Sequence, residues 1–194
     1  VISDGHVNRG IRDLDEFASI TAKAAAEWLA DRDLAVALAV ASAARGVARI
    51  AAGRMRERGA RRVCALVGPG NNGADTLFAI ARLAKRGFET AAVCVDTSAS
   101  QVQTEAADLA RARGVRLLDD GPEALTAISR AEVVLDGITG IGGFGGLREE
   151  LADVVRWLRR VRVLAVDVPS GVDADTGEAG ELHITADATV TFGG

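Results

Sequence analysis

"RVCALVGPGNNGADTLFAIARLAKRG", Arg62 to Gly87, runs from an apolar strand through a glycine-rich turn into an amphipathic helix. Gly68, Gly70 and Gly73 match the spacing G-x-G-x-x-G. In a dinucleotide site those glycines permit a tight turn and let a pyrophosphate approach the N–H groups at a helix start. Asp96, at the end of the next apolar run, stands where a ribose-binding acid would be. The plainer reading of the same pattern is a tight strand-to-helix turn. Asp75 separates the two. A carboxylate in the first helical turn suits the helix dipole, but it repels a pyrophosphate unless it binds hydroxyls or a cation shares the site.

Working outward from this stretch, the chain after Arg62 alternates strand-length apolar runs with helical segments. "RVCALVG", "TAAVCVD", "GVRLL", "EVVLDGI", "RVLAVDVPSG" and "DATVTF" are the strands, and 73–86, 101–113, 122–129 and 147–159 are the helices between them. Runs apolar on both faces, separated by helices, predict a parallel sheet covered on both sides. The fold class is therefore α/β: a Rossmann-like, doubly wound, mostly parallel sheet in an α/β/α sandwich. Residues 14–58 are Ala-rich and studded with Arg and Glu, which predicts an N-terminal helical extension with a junction at "DRD", residues 31–33. Phe17, Ile20, Ala24 and Trp28 share one face at helical spacing and read as core or dimer contact. The chain reads as one domain over 1–194, with the extension at 1–58 and the α/β core at 62–194. In such folds ligands bind beyond the carboxyl ends of the strands, at the topological switch point.

The net charge of -4 argues against a nucleic-acid or anionic-membrane surface. No apolar run reaches the length of a membrane span, and the polar, acidic start "VISDGHVNRGIRDLDEF" is unlike a signal peptide. A cytoplasmic protein is expected. Cys64 and Cys94 fall in expected buried strands and read as small core hydrophobes of a reducing compartment. There is no tyrosine, and Lys23 and Lys85 are the only lysines, which narrows the acid–base inventory.

Two further strands end in acids. "VVLDGITGIGGFGG" puts Asp136 at a strand end, and "VLAVDVPSGVDADTGE" puts Asp167 at the next, followed by Pro169, Ser170 and Gly171. One such aspartate reads as a helix cap or turn residue. Asp75, Asp136 and Asp167 on one rim read as a site. Three carboxylates in a cleft need compensating charge, which a hard cation held by oxygens of Asn72, Asp136 and Ser170 would supply. No His, Cys and carboxylate set has zinc-like spacing, and His6 and His183 are expected far from the rim. Mg²⁺ or an alkali ion suits all-oxygen ligands better.

"GPGNNGAD", "VVLDGITGIG" and "VLAVDVPSGVDADTGE", in this order, together with the closing "ADATVTFGG", resemble the NAD(P)H-hydrate epimerases, the YjeF N-terminal domain family. The resemblance is good over about 62–194, and "VDVPSGVDADTG" is its most specific part. Members are Rossmann-like and usually dimeric, and they interconvert the R and S forms of hydrated NADH and NADPH so that a dehydratase can restore the cofactor. By position, the resemblance implies that Asn71, Asn72, Gly73, Ala74 and Asp75 line the substrate site. It implies that Gly140, Ile141, Gly142, Gly143, Phe144, Gly145 and Gly146 cradle the phosphates and that Asp167 contacts the substrate. One K+ per subunit would sit on Asn72, Asp136 and Ser170. Three departures stand out. Ala74 replaces a glycine, "GITGIGG" replaces A-L-F-G-T-G after the aspartate, and "VASAA" (Val40 to Ala44) replaces M-E-N-A-G in the N-terminal helices.

The reaction this implies is epimerisation of the hydroxyl-bearing carbon of the hydrated nicotinamide ring. Asp167 is the expected acid–base group and Asp136 a ligand. The other class of reading is a catalytically silent module of the same fold that binds an ADP-ribose-like nucleotide, motivated by "VASAA" and the uncharged "GIGGFGG" loop. A dehydrogenase, resting on "GPGNNG" plus Asp96, would lack a substrate domain and any His, Lys or Tyr acid. The expected partners are NADHX or NADPHX as substrate, a second copy in a homodimer, and a fused or separate NAD(P)H-hydrate dehydratase.

Overall fold

The computed structural model describes residues 32–95, 101–141 and 146–192. Asp96, the loop residues Gly142, Gly143, Phe144 and Gly145, His6, and the face Phe17–Ile20–Ala24–Trp28 lie outside the described residues. The element order is α1 (Arg32–Glu57), β1 (Arg62–Val67), α2 (Asn71–Lys85), β2 (Glu89–Cys94), α3 (Gln101–Ala112), β3 (Arg116–Asp119), α4 (Pro122–Arg130) and β4 (Val133–Gly137). A short 3₁₀ turn (Glu149–Leu151), α5 (Ala152–Leu158), β5 (Arg162–Val166) and β6 (Ala188–Val190) follow.

The strands form one six-stranded sheet in the order β3-β2-β1-β4-β5-β6, and every pairing is parallel. Continuous apolar sequence explains this. All five residues of β4 and the last five of β1 are buried, so neither strand has a face to give to water. Two cores result. On one face α1, α2 and α3 cover the sheet around Val47, Met55, Leu77, Phe78 and Ile80. On the other face α4 and α5 cover it around Leu66, Ile128, Val134 and Leu158. Phe78 has no exposed surface, and truncating such a residue to Ala typically costs about 3–5 kcal/mol. No described helix is long and apolar enough to cross a membrane.

The order places β1 beside β4, so the chain winds outward from β1 through β2 to β3 and then crosses to the other side. That adjacency is the switch point, and the crevice above β1 and β4 is where a doubly wound sheet takes ligands. Two helix starts differ from the sequence expectation. The helix expected over 147–159 begins at Ala152 after the 3₁₀ turn, because Arg148 is extended (φ -66°, ψ 147°). Helix α2 starts at Asn71 rather than at residue 73, because Gly70 takes the turn itself at φ 84°. Asp75 is consequently one turn inside the helix and not in its first turn. Cys64 is buried, and burial pushes its thiol up to about 12. Cys94, at the last position of β2, is half-buried.

Candidate functional site

Three loops meet above β1, β4 and β5. The first is the β1–α2 turn. Its helix start carries no side-chain cap, since Gly70 stands at the N-cap, so the first N–H groups of α2 face the crevice with the positive end of the helix dipole. Asn71 is exposed, Asn72 and Asp75 are half-buried, and Gly73 and Ala74 are buried. The Ala74 methyl belongs to the core on the α1–α3 side of the sheet, which leaves only its backbone for a ligand. Gly73 is required by contact: a Cβ there would run into the Gly68 carbonyl oxygen.

The second loop leaves β4 directly after Asp136, and the third leaves β5 at Asp167. Asp136 is fully buried and accepts the Ser170 hydroxyl at 2.6 Å and the Ser170 backbone N–H at 2.8 Å. Burial is the main cause that pushes its carboxyl up to about 6, against the hydrogen bonds from Ser170 and Ile138, which pull it down. The Ser170 oxygen also accepts the Thr139 N–H at 2.9 Å. The Asn72 amide donates to the Thr139 carbonyl at 2.7 Å, and the Ile141 N–H donates to Asp167 Oδ2 at 3.0 Å. Residues 139–141 are thus pinned by Asn72, Ser170 and Asp167 together, one group from each of the other two loops and a second from the third. Gly140 lies in the middle, where a Cβ would come 2.9 Å from Asp167 Oδ2 and 3.3 Å from Asn72 Cβ.

Asp167 is the one non-glycine residue with positive φ among the described residues, at 73°. An L residue in that region is strained, and such residues concentrate at functional sites. Asp75 adds the third carboxyl. Its Oδ1 is buried without a hydrogen-bond partner, and burial first, then the Asp167 charge, pushes it up to about 7.

The structure therefore gathers Asn72, Asp75, Asp136, Asp167 and Ser170 on one rim, with Gly140 and Ile141 beside them. Ile141 is 70% exposed, an unusual placement for so apolar a side chain, and it sits at the mouth of the crevice. Gly146 is exposed at the far end of the same loop, near Leu182. Three contributors escape a reading of sequence alone. Thr139 acts through its backbone, and Thr76 and Gln103 are buried polar residues on helices. The expectation that His183 lies far from the rim is wrong. Residues 171–184 fold back, so that the Ile184 N–H donates to the Ser170 carbonyl at 2.8 Å. This brings His183 against Gly171, with its ring nitrogen 2.8 Å from the Gly180 carbonyl.

The donor set fits a hard cation. Asn72 points its amide N–H away to Thr139 and leaves Oδ1 buried with no partner. An orphaned buried oxygen is costly unless something occupies it. A carboxylate and a hydroxyl, Asp136 and Ser170, complete an all-oxygen set.

Residues 22–194 match the family described as YjeF-related protein N-terminus. A relative from Microbacterium testaceum, named NAD(P)H-hydrate epimerase, is 40% identical over 158 residues, covering 78% of this chain and 60% of that one. A bifunctional NAD(P)H-hydrate repair enzyme from Mycobacterium leprae is 39% identical over 136 residues, covering 69% of this chain and 27% of the relative. The chain thus spans less than two thirds of the length of either. The crystal structure of the yeast protein ynu0 superposes with a TM-score of 0.72 at 22% identity, covering 89% of this chain and 79% of that one, and shares the fold.

Proposed function

The chain belongs to the YjeF-related protein N-terminus family, and from that membership we propose that it interconverts the R and S hydrates of NADH and NADPH. The single observation that carries the reading is the convergence of Asp75 and Asp167 beside the Asn72–Asp136–Ser170 oxygens at the sheet's switch point. The relatives' names supply the substrate class.

The hydrated ring bears its hydroxyl on a carbon next to the ring nitrogen. Inverting that carbon by opening and reclosing the carbon–nitrogen bond requires one group to take the hydroxyl proton and another to protonate the nitrogen. Both protons return when the other face of the carbonyl is attacked. Asp167, fixed by the Ile141 N–H, suits the accepting role. Asp75, whose carboxyl holds its proton close to neutrality, suits the donating role. Such acid–base chemistry is worth about 10²–10⁴-fold. Asn71 and the uncapped start of α2 would bind polar groups of the ligand, and Gly140, Ile141 and Gly146, with the loop between them, its phosphates. Potassium on Asn72, Asp136 and Ser170 would supply the positive charge that lets these carboxylates share a cleft. A dehydratase, fused or separate, would consume the S product, as the bifunctional relatives' names suggest. A cytoplasmic homodimer completes the reading.

The test mixes pure R-NADPH hydrate with an S-specific dehydratase, with and without this protein, in potassium buffer near neutral pH. Recovery of NADPH absorbance well above the spontaneous rate is expected. Recovery at the spontaneous rate, from protein that still binds the hydrate, would replace the enzyme with a silent nucleotide-binding module.

A further inference from the structure

Gln103, in the first turn of α3, is 5% exposed, and its side-chain N–H donates to the Gly68 carbonyl at 2.6 Å across 35 residues of sequence. Burying a primary amide is costly unless its hydrogen bonds are made, and an apolar residue would fill the same volume more cheaply. The bond therefore needs a reason in what Gly68 does. That one residue joins two parts of the site. Its N–H donates to the Gly137 carbonyl at 3.1 Å, directly after Asp136 on β4. Its carbonyl is the atom that a Cβ on Gly73 would strike, next to Asn72. The same hypothetical Cβ would come 3.0 Å from Gln103 Nε2 itself. Gln103 holds this residue by its carbonyl, beside Gly73, and so ties the Asn72 turn to the Asp136 strand end.

We propose that Gln103 is the positioning residue that sets the Asn72 oxygen against the Asp136–Ser170 pair, so that monovalent-cation binding and substrate binding both depend on it. It touches neither ligand; it acts through Gly68. The substrate half of this inference rests on the epimerase reading above, and the cation half does not.

Gln103→Met keeps the volume and removes the donor, whereas Gln103→Glu keeps the shape and sets an oxygen against the Gly68 carbonyl. Each is compared with the unaltered chain by circular dichroism and by melting temperature in KCl against tetramethylammonium chloride at equal ionic strength. KM and kcat for the hydrate follow in potassium. The unaltered chain is expected to melt higher in KCl. Gln103→Met is expected to fold, lose most of that increment and raise KM about tenfold, the low end of the loss typical of groups that orient metal ligands, with kcat within about twofold. If Gln103→Met does not fold, Gln103→Asn, which keeps the amide but shortens its reach, is expected to show the same loss. A folded variant with the full potassium increment would overturn the proposal, as would an unaltered chain with no increment at all. A potassium increment that depends on Gln103 in a chain without epimerase activity would support the positioning role and sink only the reaction.

Discussion

Thr76 occupies the space that a side chain on Gly137 would need. A Cβ on Gly137 would collide with Thr76 Oγ1 and lie 2.6 Å from Thr76 Cβ and 2.9 Å from Cγ2. The pair spans the switch point, one residue on α2 and the other at the end of β4. The Thr76 hydroxyl also donates to the Asn72 carbonyl at 2.8 Å, so the packing contact is tied to the turn that carries Asn72. In this chain glycine follows the aspartate, and Thr76 from the facing helix fills the volume that a side chain there would need.

The two positions should be energetically coupled. Gly137→Ala alone is expected to destabilise by about 1–3 kcal/mol through overpacking. Thr76→Gly alone should cost about 0.3–0.5 kcal/mol from helix propensity, in addition to the lost packing. The double variant should recover part of the sum, with a coupling of about 0.5–3 kcal/mol for residues in direct contact. Urea unfolding of the four proteins checks this, and simple additivity would contradict the contact.

Asp75 should make stability depend on pH. Its folded carboxyl is pushed up to about 7 from an ordinary 3.8, by burial first and by the Asp167 charge second. Between those two pH values the folded state binds more protons than the unfolded chain, so stability falls as pH rises. The contribution is fully present below about 3.8 and is lost by about 7. Asp75→Asn, neutral throughout, should flatten the decline in unfolding free energy over that window. An unchanged slope would mean that Asp75 is ionised in the folded protein.

Loss of the proposed cation should be visible in two variants of different severity. Ser170→Ala deletes a charge-assisted hydrogen bond to buried Asp136 at 2.6 Å, worth about 1.5–3 kcal/mol. It also deletes an oxygen of the cation set. Asn72→Ala deletes the unpartnered Oδ1 together with the bond to Thr139. Both should lose the melting increment that KCl gives over tetramethylammonium chloride, and Ser170→Ala should also lower stability without potassium. Retention of the increment in both would place the ion elsewhere.

The fold was legible because its signal is long-range and repeated. Apolar runs such as Val133–Leu135 and Val163–Val166 have no polar alternation, and only a doubly covered parallel sheet accommodates several of them. The rim acids were legible for a related reason, since Asp136 and Asp167 each end such a run and parallel strands put their ends on one edge. Boundaries were less legible. A glycine at positive φ, Gly70, lets the helix begin two residues earlier than the apolar period suggests. His183 was misplaced because nothing local announces that residues 171–184 turn back to Ser170. Their anchor is a backbone bond from Ile184, and backbone bonds leave no mark on residue type. Gln103 and Thr76 were invisible for another reason. A buried glutamine or threonine on a helix reads as a solvent-facing residue until its partner is known.

Asp167 allows backbone and chemistry to be separated. At φ 73° its backbone favours glycine, and asparagine tolerates the region better than other residues. Asp167→Gly should therefore fold with stability close to that of the unaltered chain, the relief of strain offsetting the lost bond to the Ile141 N–H. Asp167→Ala has neither relief nor bond and should be less stable than the glycine variant by roughly 1–2 kcal/mol. All three substitutions, asparagine included, remove the carboxylate and should lower turnover in the coupled hydrate assay by about 10²–10⁴-fold. Melting curves rank the backbone effect, and the assay ranks the chemical one. If Asp167→Asn turned over normally, the proton acceptor would be another group on the rim, with Asp75 the first to test. If Asp167→Gly were instead the least stable of the three, the strained conformation would be held mainly by the carboxylate's bond to Ile141.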